Sequence, residues 1–137
     1  MATIRIERTN EFLNRMRNFT IYIDGEQAGT IANGETKDFT VTPGQHSVLA
    51  KIDWCTSPIL SINTGDTEIK KLKVGGFKTA SPLIFTGLGI LILHFLLSEI
   101  IQFNYVILLL IPVFLLLSYY LTLGRNKYLT IVEANDN

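Results

Sequence analysis

Apolar and polar residues alternate with a period of two through most of the first 74 residues, and after residue 80 that period gives way to long unbroken apolar runs. Residues 3–8 put Ile4 and Ile6 on one face and Arg5 and Glu7 on the other, the mark of a half-buried strand. The alternation returns at residues 19–24 and runs into Asp24-Gly25, a pair whose types suit the positive φ of a tight hairpin. A returning strand is expected over 27–32. Asn33-Gly34 repeats the turn chemistry, 36–42 makes the next strand, and Pro43-Gly44 ends it. Residues 45–53, 57–63 and 67–74 complete the series. Residues 11–18 lack clean alternation and read as a loop or short helical turn that lays Phe12, Leu13 and Met16 against the core. Six or seven short strands spaced by turn signals predict a small antiparallel β-sandwich or a partly open barrel.

The second part of the chain has a different character. Residues 82–98 are 17 positions with only His94 strongly polar, and residues 105–123 are 19 positions without a charge. Each run is close to the ~20 residues that a spanning helix needs, and 106–117 has no polar face at helical period. The connection 99–104 is too short to return by itself, so the helices should be antiparallel. Lys70, Lys71, Lys73 and Lys78 precede the first run and Arg125 and Lys127 follow the second, while the connection carries no positive residue. The positive-inside rule then puts both termini in the cytoplasm. Tyr105 at one boundary and Tyr119, Tyr120 and Tyr128 near the other fit interfacial belts.

The expected architecture is an α+β membrane protein, a small antiparallel β-sandwich followed by an antiparallel two-helix transmembrane hairpin. Its parts are a soluble domain at 1–74, a linker at 75–81 with Gly75-Gly76 as a flexible joint, the hairpin at 82–123 and a short cytoplasmic tail at 124–137. Such a chain is a multi-pass integral membrane protein with the lipid bilayer as its first partner. The N-terminus has no apolar core like that of a signal peptide, so the first domain is expected on the side where it is made.

Charge and cysteine usage narrow the function classes. The chain has 12 Lys and Arg against 12 Asp and Glu, and no basic stripe interleaved with aromatics, so nucleic-acid binding is not expected. One cysteine, Cys55, excludes an intramolecular disulfide and a multi-thiolate metal site. His46 and His94 are far apart in sequence, and no metal or cofactor is expected. No glycine-rich phosphate loop or serine elbow is present.

The remaining candidates each have a plain structural reading as well. His94 and Glu99 are ionisable groups in or beside an apolar run, which can mark a path for ions or protons, and both also lie close enough to its end to reach interfacial water. Pro112, in the middle of the second run, removes a backbone donor and is expected to bend that helix. Gly87 and Gly89 make a smooth patch where another helix could approach, in a second copy or in the same monomer. Trp54-Cys55 is a reactive thiol beside an aromatic or a partly buried structural pair. An enzymatic reading would need Cys55, His46 and Asp53 to meet, and neighbouring strand residues point to opposite faces. Asn18-Phe19-Thr20 is formally a glycosylation sequon, overlapping a strand start.

The segments IYIDGEQAGTI and FTVTPGQHSVLAKI, within residues 21–52, resemble the PEGA-type β-modules. The matching positions are Tyr22, Asp24, Gly25 and Gly29, then Pro43, Gly44, His46 and Val48, with Ile31-Ala32 standing where that family usually has Thr-Pro. The resemblance implies a β-sandwich used for binding or spacing. The functional expectation is a membrane-anchored, non-enzymatic binding or assembly module whose cytoplasmic β-domain recognises a protein partner or associates with itself. The alternative is a small oligomeric membrane effector or pore-forming component in which the β-domain controls assembly.

Overall fold

The computed structural model describes residues 1–77, 80–97 and 108–134. They fall into two compact units, Met1–Phe77 together with Arg125–Asn137, and Lys78–Gly124. The first unit holds strands β1 (Ala2–Arg8), β2 (Phe19–Ile23), β3 (Glu26–Ile31), β4 (Thr36–Val41), β5 (Gly44–Ile52), β6 (Cys55–Thr56), β7 (Leu60–Thr64), β8 (Ile69–Gly75) and β9 (Thr130–Glu133). Two sheets form, ordered β4-β1-β8-β9 and β3-β2-β5-β6, with β7 also paired to β5. All pairings are antiparallel except that of β1 with β8, which is parallel. The antiparallel expectation is corrected at that point: after β4 has paired antiparallel with one side of β1, the chain builds β5, β6 and β7 in the other sheet and comes back along the free side of β1 at β8, running in the same direction.

Period two decides what is buried. Ile4 and Ile6 of β1, Leu72 and Val74 of β8, Phe19 and Ile21 of β2, and Val48 and Ala50 of β5 are all inaccessible to solvent and share one core. Burying such a side chain stabilises the fold by about 1.5–3 kcal/mol. Asp24 and Gly25 both have positive φ, 52° and 83°, as a two-residue hairpin of the expected kind requires.

The ends of the unit differ from expectation. The residues read as a tail supply β9, which pairs antiparallel with β8, while Leu129 beside it is fully buried and donates its N–H to Thr56 O at 3.2 Å. Gly75 belongs to β8, and Gly76 donates its N–H to Glu11 Oε1. A Cβ on Gly76 would lie 2.5 Å from both Asn14 Nδ2 and Glu11 Oε2. The glycine pair therefore serves close packing rather than a flexible joint.

Arg8 ends β1 on its buried face, with 1% of its surface exposed. Its Nη1 donates to Arg17 O at 2.6 Å and Ile31 O at 3.1 Å, and its Nη2 to Asn14 O at 2.7 Å. The guanidinium carbon stands 3.6 Å from the Phe19 ring centroid, a cation–π geometry. Three carbonyls from the 9–18 loop and β3 thus converge on one side chain.

The second unit contains α1 (Ala80–Leu97) and α2 (Leu110–Leu121). At the helical rise they measure about 27 and 18 Å, below the ~30 Å of a bilayer's apolar core. Among the described residues no helix is long and apolar enough to cross a membrane. That finding overturns the α+β membrane fold class with its two-helix transmembrane hairpin, and with it the multi-pass integral localisation and cytoplasmic termini. Within the apolar run 105–123 the described helix spans Leu110–Leu121, and 105–107 lie outside the described residues. Among the described residues the chain is mostly β, with two sheets and two short α-helices.

Two outcomes test this packing. Arg8→Met should cost about 3 kcal/mol in urea unfolding, since three carbonyls lose their donor, and Arg8→Lys should recover little of it because an ammonium lacks the planar fork. An Arg8→Met protein within about 0.5 kcal/mol of wild type would mean that water replaces those bonds. Gly76→Ala should destabilise by about 1–3 kcal/mol through overpacking, whereas alanine at a mere flexible joint would be neutral.

Candidate functional site

β3 is the outer strand of one sheet and β4 the outer strand of the other. They lie on the same side of the unit and enclose an open cleft of about 590 Å³, whose polar lining includes Asp24, Glu26, Gln27, Lys37, Thr42 and His46. The floor is set by a close approach. A Cβ on Gly29 would come within 3.2 Å of Phe39 Cε1, so glycine there lets the Phe39 ring tuck against β3.

At one end of the cleft the β2–β3 turn is tied to the start of β5. Asp24 Oδ1 accepts the Ser47 N–H at 2.8 Å, and the Asp24 N–H bonds Ser47 O at 2.8 Å. Asp24 Oδ2 lies 2.6 Å from His46 Nδ1, and His46 Nε2 lies 2.7 Å from Thr42 O. A carbonyl oxygen only accepts, so Nε2 carries a hydrogen, and an ionised Asp24 also asks Nδ1 to donate. The imidazolium is the form that satisfies both contacts. The hydrogen bonds to Asp24 and Thr42 raise the His46 pKa above its ordinary 6.5 against the opposing effect of burial, and the bonds from His46 and Ser47 hold Asp24 below 3.8.

At the other end the chain crosses between the sheets through residues 32–35. Arg8 holds both sides of that crossover, with its guanidinium on Ile31 O and its backbone N–H on Glu35 O at 2.9 Å. Asn33 Oδ1 accepts the Glu11 N–H at 2.9 Å, and the Glu35 carboxylate accepts the Ala32 N–H at 2.6 Å. The cleft therefore lies between two pinned ends.

The residues singled out from sequence are distributed as follows. Of the positions that carry the PEGA resemblance, Asp24 and His46 line the cleft, Gly25 and Gly29 lie on the β2–β3 hairpin, Gly44 with φ 138° starts β5, and Val48 is buried in the core. His46 lies near the start of β5 and Asp53 just past its end, about 23 Å apart at the strand rise, so the two do not meet with Cys55. The Cys55 thiol is buried and pushed up in pKa, chiefly by desolvation, while the neighbouring Trp54 is 62% exposed. Asp53 instead forms an ion pair with Arg17. Among the described residues no group of three or more metal-ligating side chains occurs.

In the helical unit, His94 is half-buried in the last turn of α1, and Glu99 lies outside the described residues. Pro112 is the third residue of α2, and the residues before Leu108 in that run lie outside the described residues. A Cβ on Gly87 would meet Val113 of α2 at an ordinary 3.6 Å, and one on Gly89 would meet nothing within 4 Å. Gly87 thus faces α2 with room for a methyl group, and Gly89 stands at open space.

Sequence reading missed Arg8 and Lys37. Positions 2, 4, 6 and 8 all point to the core, so the alternation itself marks Arg8 as buried. Lys37 stands opposite Ile6 on the inward face of β4, and its Nζ reaches Thr30 O on β3 at 3.1 Å.

The clamp has a pH signature. With the His46 pKa raised on folding, its contribution is complete below 6.5 and lost as pH rises through the higher folded value. With the Asp24 pKa depressed, its contribution is complete above 3.8 and lost as pH falls below that. Stability should be greatest between these limits and fall on the alkaline side. His46→Gln should remove the alkaline fall and cost about 1–2 kcal/mol near pH 6; an unchanged urea midpoint from pH 6 to pH 9 in the wild type would contradict the clamp. No family model, curated protein or solved structure matches the chain.

Proposed function

We propose that the β unit is a non-enzymatic binding module and that the cleft between β3 and β4 is its ligand surface. The observation that carries this reading is the cleft itself, open, polar and about 590 Å³ in volume, between two outer strands whose ends are fixed. A site held in one shape before its ligand arrives avoids the ordering cost that binding otherwise carries. Its lining offers carboxylates at Asp24 and Glu26, an amide at Gln27, an ammonium at Lys37 and a hydroxyl at Thr42, a set suited to fixing a polar ligand by hydrogen bonds. The resemblance to PEGA-type modules, carried by residues 21–52, supports a binding or spacing role.

Ala28 lines the cleft and is exposed, so a large side chain there fills the site without disturbing the core. The full chain screened against peptide and glycan arrays should retain a ligand, and Ala28→Trp should weaken that ligand at least about tenfold, about 1.4 kcal/mol, with an unchanged melting temperature. Retention of the same ligands by Ala28→Trp would move the binding surface elsewhere.

A further inference from the structure

We propose that the occupant of this cleft is an extended polypeptide segment that adds as a new strand to the outer edge of β4, with a lysine or arginine of that segment opposite Asp38. The inference rests on the binding-module reading and names the ligand class.

Hydrogen-bond parity identifies the open groups. The Arg8 N–H bonds Glu35 O, and in the β1–β4 register Arg8 stands opposite Glu35, one step beyond the Glu7–Thr36 pair. Antiparallel ladders alternate between hydrogen-bonded and non-hydrogen-bonded pairs. Lys37, Phe39 and Val41 therefore exchange their main-chain bonds with Ile6, Ile4 and Ala2, whereas Thr36, Asp38 and Thr40 turn N–H and C=O toward the outer edge. An incoming strand of about five residues meets all three, which is the geometry of β-strand addition.

The two edges of the cleft are not equivalent. On β3 the outward carbonyl of Thr30 is occupied by Lys37 Nζ at 3.1 Å, and the register with β2 shifts between Ile21 and Tyr22, both devices that discourage pairing. Lys37 crosses inward to β3, so it leaves the outward groups of β4 clear.

Charge then selects the partner. On the solvent face, side chains form rows across β8, β1 and β4: Lys73–Glu7–Thr36, Lys71–Arg5–Asp38 and Ile69–Thr3–Thr40. Arg5 binds Asp38 through two bonds of 2.8 and 2.7 Å. The middle row thus ends on a carboxylate at the open edge, and the next side chain in that row is favoured when basic. The outer rows end on Thr36 and Thr40, which pair well with β-branched residues. A second copy paired antiparallel about Asp38 would set Asp38 against Asp38, a like-charge opposition that destabilises. The fitting segment carries Lys or Arg at its centre and threonine or valine two residues to either side.

The test uses the isotope-labelled full chain, titrated with an extended peptide of alternating Thr and Val centred on Lys, a Glu-centred analogue, and a Lys-centred analogue N-methylated on alternate amides. The Lys peptide should bind and move the amide signals of Thr36, Asp38 and Thr40. The Glu peptide should bind at least about tenfold more weakly, and the N-methylated one not at all. Thr40→Pro removes one outward donor while sparing the β1 ladder and should weaken the Lys peptide about tenfold; Asp38→Lys should reverse the preference toward Glu and keeps the test open if the proline variant unfolds. Equal binding of the N-methylated peptide, or no binding of any peptide, would overturn strand addition. The binding-module reading would then stand or fall separately, on whether Ala28→Trp abolishes retention of a ligand of another class.

Discussion

A buried guanidinium organises the β unit. Arg8 has almost no exposed surface, and its hydrogen bonds go to three main-chain carbonyls rather than to a carboxylate. Desolvation lowers its pKa, opposed by the nearby charge of Glu11. Placing a charge out of water is costly unless its donors are satisfied, and only Nε is left without a partner among the buried side-chain polar atoms described. The same arrangement satisfies carbonyls of the 9–18 loop that belong to no ladder. Arg8 and that loop thus need each other, and the Phe19 ring against the guanidinium adds a contact that a neutral side chain would not make.

From that constraint the cleft follows. The chain passes from β3 in one sheet to β4 in the other through four residues, and Arg8 grips the carbonyl before them and the carbonyl at their end. The opposite end is tied by Asp24, His46 and Thr42. Two outer strands from different sheets are thereby held at a set separation without pairing with each other. The clamp is electrostatic and titratable, whereas the Arg8 end is held by a group that stays charged throughout the accessible pH range, so the two ends respond differently to pH.

Much of the β unit is legible in the sequence because its signals are local. Alternation at Ile4 and Ile6 and the Asp24-Gly25 turn specify strands and a hairpin within a few residues, and the elements fall close to the expected places, whereas Asn33-Gly34 carries the chain from one sheet to the other. Partner choice is not local. Nothing between residues 3 and 8 says that β1 takes β8 as a parallel neighbour, nor that residues 130–133 return to close the same sheet. Gly75-Gly76 misleads for a related reason, because glycine is used for flexibility and for close approach alike, and only the position of Glu11 distinguishes them. The apolar runs beyond residue 80 read as spans by hydropathy alone, whereas among the described residues no helix is long and apolar enough to cross a membrane.

The candidate site was half visible, and the half that was hidden is instructive. Asp24 and His46 attract notice as turn and strand residues, yet their shared place in the lining of a cleft appears only when β3 and β4 are seen as edges of different sheets. Lys37 illustrates the difference. As a charged residue at an inward position of a short strand it reads as protection against edge pairing, and for β3 it serves that purpose by covering Thr30 O. The same reach, however, carries its ammonium across the cleft instead of outward over β4. One lysine therefore closes one edge and leaves the other open, and the asymmetry between the two strands comes from the direction of a single side chain.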